Sequence, residues 1–151
     1  LLNPDFRDML GLLCEHNVEF LLVGAHALAA HGHPRATGDL DIWVRPTKDN
    51  AVRLWQALEA FGAPLALAEL KDFHTPDMVV QFGVPPRRID LITGIDGVNF
   101  TNAWNNRITI SLEGMRIPVI GRDDLIHNKR SAGRPKDALD ADTLEDDWPE
   151  Q

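Results

Sequence analysis

The run Asp39-Leu40-Asp41-Ile42-Trp43-Val44 constrains this chain more than any other stretch. In a β-strand, side chains two apart point to the same face. Asp39 and Asp41 therefore project together, and Leu40, Ile42 and Val44 project the other way. One face belongs to a core; the other carries two carboxylates side by side. Before it, Glu19 to Val23 reads as a buried strand that ends at Gly24, and Ala25 to Ala30 reads as a short helix stopped by Gly32 and Pro34.

The same reading extends along the chain. Asn3 or Asp5 caps a first helix reaching about His16, with Phe6, Met9, Leu10 and Leu13 at helical spacing. Pro46-Thr47 opens a helix whose apolar stripe is Ala51, Leu54, Trp55, Leu58 and Phe61, and Gly62 ends it. Residues 63–76 read as a short strand or irregular segment and a loop. Met78 to Phe82 and Arg88 to Thr93 read as strands, and Asn99 to Asn105 as a short helix or loop. Arg107 to Leu112 and Met115 to Ile120 form a hairpin around Glu113-Gly114. From Arg122 the pattern is helical, interrupted near Gly133 and Pro135. The expected class is α/β: a mixed sheet with helices packed mainly on one face, plus C-terminal helices. Residues 1–120 are expected to form the core and residues 121–151 a helical extension packed on the same domain.

The length, 151 residues with 44% hydrophobic content, suits one domain with a sizeable core. Apolar runs are short, so no membrane span is expected. Asp5, Arg7 and Asp8 among the first residues do not read as a secretion signal. The single Cys14 excludes an internal disulfide or a cysteine-rich zinc site and fits a reducing, cytoplasmic setting. Net charge is −8, but residues 137–151 hold seven acids and no Lys or Arg, which leaves 16 acids against 15 bases elsewhere. A general nucleic-acid binder would show a basic face instead.

The chemistry concentrates at few residues. Gly24 allows close backbone approach to a phosphate, and a helix N-terminus offers free N–H groups, although many strand–helix junctions keep a glycine for packing. The Asp39/Asp41 pair is either a charged strand edge or a divalent-metal site. Asp90 sits in the apolar run Arg88-Ile89-Asp90-Leu91-Ile92, where an acid is costly unless it is salt-bridged, to Arg87 or Arg88, or bound to metal. Three carboxylates on neighbouring strands suit two Mg²⁺ ions about 4 Å apart. Asp90 is then the base or the ligand of the catalytic metal.

Gly24-Ala25, Asp39-Leu40-Asp41 and Asp90 together resemble the active-site pattern of the DNA polymerase β-like nucleotidyltransferase superfamily, over about residues 19–93. The resemblance implies Mg²⁺-dependent transfer of a nucleoside monophosphate from a nucleoside triphosphate to a hydroxyl acceptor, with release of pyrophosphate. The acceptor would be a tRNA end, a protein side chain or a small molecule. Ala25 stands where that superfamily usually has Gly or Ser, so phosphate binding there is expected through backbone N–H alone. Arg35-Ala36-Thr37-Gly38-Asp39-Leu40-Asp41, and Lys129 to Asp140 with Leu144 beyond, resemble motifs of AbiEii-type nucleotidyltransferases of bacterial toxin–antitoxin systems. That resemblance implies nucleotide contacts from Arg35, Thr37, Lys129, and Arg134 or Lys136, with Asp137 and Asp140 ordering the cluster, and a partner protein. Cations beside a polyphosphate suit its transfer; a solvated helix start with weak ion pairs is the other reading. A non-catalytic binding module on the same fold is the alternative function.

Other apparent motifs carry less. Gly32 separates His26 from His33, and no further ligands support zinc at His26, His31 or His33. His33 and Arg35 are nonetheless placed to touch substrate from the loop before Asp39. Arg122 and His127 match the spacing of some all-helical ribonucleases, but on one short helix this reads as coincidence. Trp55 and Trp104 read as core or rim, and Trp43, on the face of Asp39 and Asp41, as able to stack on a base.

Overall fold

The structure is a computed structural model that describes residues 2–35 and 38–147, apart from the side chain of Leu67. Helix α1 (Pro4–Glu15) starts where Asn3 accepts a hydrogen bond from the Asp5 backbone N–H at 2.8 Å, with Pro4 in the first turn. Its buried stripe is Phe6, Met9, Leu10 and Leu13. Strand β1 (Phe20–Val23) is buried throughout and leads straight into α2 (Gly24–Ala30). Strand β2 (Leu40–Val44) follows, then α3 (Lys48–Phe61), which Thr47 caps and Gly62 closes in the left-handed conformation at φ 86°.

Residues 63–76 resolve as irregular: two 3₁₀ turns, Leu65–Leu67 and Leu70–His74, the second opened by a reciprocal Glu69/Asp72 capping box. The remaining elements are β3 (Val79–Phe82), β4 (Ile89–Ile92), α4 (Phe100–Asn105), β5 (Ile108–Leu112), β6 (Met115–Val119), α5 (Arg122–Ala132) and α6 (Pro135–Asp146). Glu113 and Gly114 both take positive φ (48° and 84°), as a two-residue hairpin turn requires.

The six strands form one mixed sheet in the order β3-β4-β2-β1-β6-β5. β2 pairs antiparallel with β1 and parallel with β4; β1 also pairs parallel with β6. Leu40, Ile42, Val44, Phe20, Leu22, Ile89 and Leu91 share one face and are all buried. Each such side chain contributes about 1.5–3 kcal/mol on leaving water. Asn50 is fully buried yet satisfied: it accepts from the Glu19 N–H (2.8 Å) and donates to the Glu19 and Arg45 carbonyls (2.9 and 3.0 Å). It fixes α3 against the outer ends of β1 and β2.

What matters for function is the register. Val23 faces Asp41 across the β1–β2 pair, and Asp41 faces Asp90 across the β2–β4 pair. The end of β1, where the chain turns at Gly24, thus lies in line with two carboxylates on the next two strands. Among the described residues, no helix is long and apolar enough to cross a membrane.

Candidate active site

Asp41 and Asp90 are register partners, and Asp39 precedes β2 by one residue on the same side. Asp39 accepts a hydrogen bond from the Arg88 backbone N–H at 3.1 Å, while the Leu40 N–H donates to the Arg88 carbonyl at 2.9 Å. The starts of β2 and β4 are therefore joined at the carboxylates themselves. The Arg88 side chain then reaches across. Its Nε donates to one oxygen of Asp90 at 2.8 Å and a terminal nitrogen to the other at 3.2 Å; that nitrogen is also 3.2 Å from Asp39. Such two-pronged, charge-assisted contacts are among the stronger hydrogen bonds.

One cation is left to face three acids. Burial pushes the Asp41 carboxyl up to about 7 from an ordinary 3.8, helped by its hydrogen bond with Asp90 and the charges of Asp90 and Asp39, and only partly opposed by Arg88. The same acids, led by Asp90 through the hydrogen bond it accepts from Arg88, hold the Arg88 guanidinium even more firmly charged.

Gly24 explains how Asp41 fits. It takes φ 67°, and a Cβ built there would lie 2.2 Å from Asp41 Oδ2. Any other residue meets both backbone strain and a collision with the carboxylate. The first turn of α2, which Gly24 and Ala25 open, has no side-chain cap among the described residues. His26 packs edge-on against Phe6 at 5.7 Å, and burial holds its pKa below the ordinary value.

The second set of site residues gathers at the α5–α6 corner. Asp137 and Asp140 are 1% and 2% exposed. Lys129 Nζ lies 3.5 Å from Asp137 and 3.3 Å from Asp140. Arg134 donates to Asp137 at 2.6 Å, and Arg35 is paired with Asp140. The Arg134 hydrogen bond, with Lys129 behind it, draws the Asp137 carboxyl below its usual range against the opposing effect of burial. Asp140 Oδ2 is buried without a hydrogen bond. Lys136 is exposed and makes no ion pair among the described residues; Arg130 pairs only with exposed Asp142 and Glu145.

Several sequence expectations need restating. Trp43 does not present a stacking face: it is 1% exposed and packs edge-on against Phe100 at 5.0 Å. His33 and Arg35 reach α6, where they pair with Asp147 and Asp140. His31 bonds the Ile120 carbonyl at 2.8 Å, and Arg122 donates to the Leu144 carbonyl at 2.8 Å. Thr37 lies outside the described residues. Arg88 was legible only as an ion-pair partner for Asp90; the rule that paired Asp39 with Asp41, two residues apart on one strand, also places Arg88 beside Asp90.

Asp39, Asp41 and Asp90 are hard oxygen donors of the kind Mg²⁺ takes, on adjacent strand positions, with Asp41 seated against the bare Cα of Gly24. By donor chemistry they fit such an ion. Among the described residues, however, no group of three or more His, Cys, Asp or Glu is arranged to hold a metal, and Arg88 is paired with both Asp90 and Asp39.

No protein-family model matches the sequence, and no curated protein matches it. Solved structures do. An inferred nucleotidyltransferase from Thermotoga maritima aligns at TM-score 0.60 and 16% identity over 97% of this chain and 94% of that one. The lincosamide antibiotic adenylyltransferase LnuA, in its lincomycin-bound structure, aligns at TM-score 0.60 and 15% identity over 96% of this chain and 97% of that one. ANT(2″)-Ia in complex with adenylyl-2″-tobramycin aligns at TM-score 0.51 and 11% identity over 95% of this chain and 97% of that one. At such identities the likeness is one of fold, and the fold is nucleotidyltransferase-like.

Proposed function

We propose that this chain is a Mg²⁺-dependent nucleotidyltransferase that moves a nucleoside monophosphate from a nucleoside triphosphate to a hydroxyl acceptor. The observation that carries the reading is the convergence of Asp39, Asp41 and Asp90 beside the Gly24 turn, whose missing side chain makes room for Asp41. Residues 1–120 would form the catalytic core and residues 121–151 the extension that brings Lys129, Arg134 and Lys136.

Asp39 and Asp41 would hold the metal, with Asp90 completing the set; when bound, Mg²⁺ supplies positive charge to the triphosphate and its leaving group. The uncapped N–H groups at Gly24 and Ala25 receive phosphate oxygens, and Lys129, Arg134 and Arg35 add positive charge nearby. The acceptor oxygen attacks the α-phosphorus and its proton passes to Asp90. The bond from the α-phosphorus to the bridging oxygen breaks, and pyrophosphate leaves with that electron pair.

The structural neighbours LnuA and ANT(2″)-Ia are described with antibiotics or an adenylylated antibiotic, which supports a small-molecule acceptor over a tRNA or protein. The motif at Lys129 to Asp140 supports the alternative of an AbiEii-type enzyme with a toxin–antitoxin partner. Incubation with labelled nucleoside triphosphates, Mg²⁺, and separate small-molecule, tRNA and protein fractions tests this. Label should enter one fraction and be lost with Asp39→Asn/Asp41→Asn; incorporation unchanged by that pair of substitutions rejects the site.

One observation favours a second reading, a non-catalytic binding module: Arg88 already neutralises Asp90 and Asp39. Calorimetry with ATP, GTP, CTP and UTP, each with and without Mg²⁺, separates the two. Absence of any Mg²⁺-dependent binding supports the module.

A further inference from the structure

The geometry points to Arg88 as a resident counter-cation that occupies the carboxylates in the metal-free protein and is exchanged for a divalent ion on loading. This rests on the metal-site reading above and adds what fills the site beforehand.

Three adjacent carboxylates repel one another in the absence of a cation, and strand register leaves them no room to separate. Arg88 answers this from within the chain. It takes both oxygens of Asp90 and one of Asp39, the acids on either side, and makes no hydrogen bond to Asp41 between them. Asp41, seated against Gly24, is thus the acid without an arginine partner and the first an incoming ion would meet. An ion bound closely to Asp39, Asp41 and Asp90 would meet the guanidinium charge on the same oxygens, so the two cations exclude each other.

The residue is built to let go without disturbing its frame. The Arg88 backbone is bonded in both directions, N–H to Asp39 and carbonyl to Leu40, and these bonds do not involve the guanidinium. Its side chain is 28% exposed, against 11% for Asp90 and 18% for Asp39. The acids stay in place while the arginine swings toward solvent, where a triphosphate would offer it a new anionic partner.

The test is Mn²⁺ binding, followed by the electron paramagnetic resonance signal of the free ion, for the wild-type chain, Arg88→Ala, Arg88→Gln and Asp41→Asn. The Arg88 variants should bind at least tenfold more tightly than wild type, because a competitor has been removed and negative charge added. Equal or weaker binding by folded Arg88 variants, with binding still lost in Asp41→Asn, overturns the exchange and leaves the metal site standing. Free Mn²⁺ with every protein removes the metal site and the exchange together. Should the Arg88 variants fail to fold, the wild-type chain decides. With ¹⁵N-labelled arginine, Mg²⁺ that shifts the Asp41 backbone amide should also shift the Arg88 Nε–H resonance and expose it to rapid solvent exchange. An Arg88 Nε–H signal unmoved at saturating Mg²⁺ overturns the proposal.

Discussion

Two ionic clusters in this molecule are built from the same residue types and are poised in opposite directions. Beside the start of α2, on the interior strands β2 and β4, three carboxylates share one guanidinium. At the α5–α6 corner, two buried carboxylates are met by three cations, Lys129, Arg134 and Arg35. The first is left short of positive charge, and Asp41 is pushed up to about 7. The second has positive charge to spare, and Asp137 is drawn down. Under the proposed function, the first cluster would take a metal ion and the second a phosphate chain. Burial raises the pKa of both aspartates; at Asp41 the neighbouring acids add to it, and at Asp137 the neighbouring cations outweigh it.

The largest effect that would sharpen this contrast is on transfer. Asp41→Asn with Asp90→Asn should lower the rate of nucleotide incorporation at least about a thousandfold, since several kcal/mol of charge stabilisation depends on that set. Next is stability. Asp137→Ala should cost about 1–3 kcal/mol in urea unfolding, because it removes the acceptor of the Arg134 hydrogen bond and one of the two acids beside Lys129. Asp41→Asn should be neutral or stabilising, because it relieves repulsion. Equal losses in the two variants would break the comparison.

The pH dependence should run in opposite senses. Asp41 has a folded-state pKa above its ordinary 3.8, so its contribution favours the folded state in acid and fades as pH rises through about 7. Asp137 has a lowered pKa, so its contribution is present above the ordinary carboxylate range and is lost as pH falls through its lowered value. Unfolding midpoints of Asp41→Asn and wild type between pH 5 and 8 should therefore diverge toward higher pH, and saturating Mg²⁺ should cancel the divergence. The smallest effect separates the cations. Lys129→Met should weaken triphosphate binding about tenfold, roughly 1.4 kcal/mol, while exposed Lys136→Ala should stay within about twofold.

Much of the frame was legible because it rests on local rules. Helical spacing placed α1 and α3, Gly62 and Gly133 closed helices in left-handed turns, and period-two alternation set the two faces of β2. The same alternation brought Asp39 and Asp41 together. What spacing does not encode is which strands become neighbours. That Asp90 lies on a strand neighbouring the Asp39/Asp41 strand was expected, but the Asp41–Asp90 register and the Gly24–Asp41 contact emerged only in three dimensions. Trp43 was misjudged because a strand face open beside Asp41 is covered by Phe100 two residues further along, and α4 lies far away in sequence. Arg35 and His33 were placed by residues more than a hundred positions away.

That last connection bears on how the molecule is made. The loop before Asp39 is fastened to α6 by Arg35–Asp140 and His33–Asp147, links that span 105 and 114 residues of chain. During synthesis, β1, β2 and β4 emerge and can pair well before either partner leaves the ribosome. A nascent chain therefore carries its three acids early and its fastened loop late. The three carboxylates gather on a polypeptide whose α5–α6 corner does not yet exist, so Arg88, two residues from Asp90 and synthesised just before it, is the counter-charge nearest at hand throughout that interval.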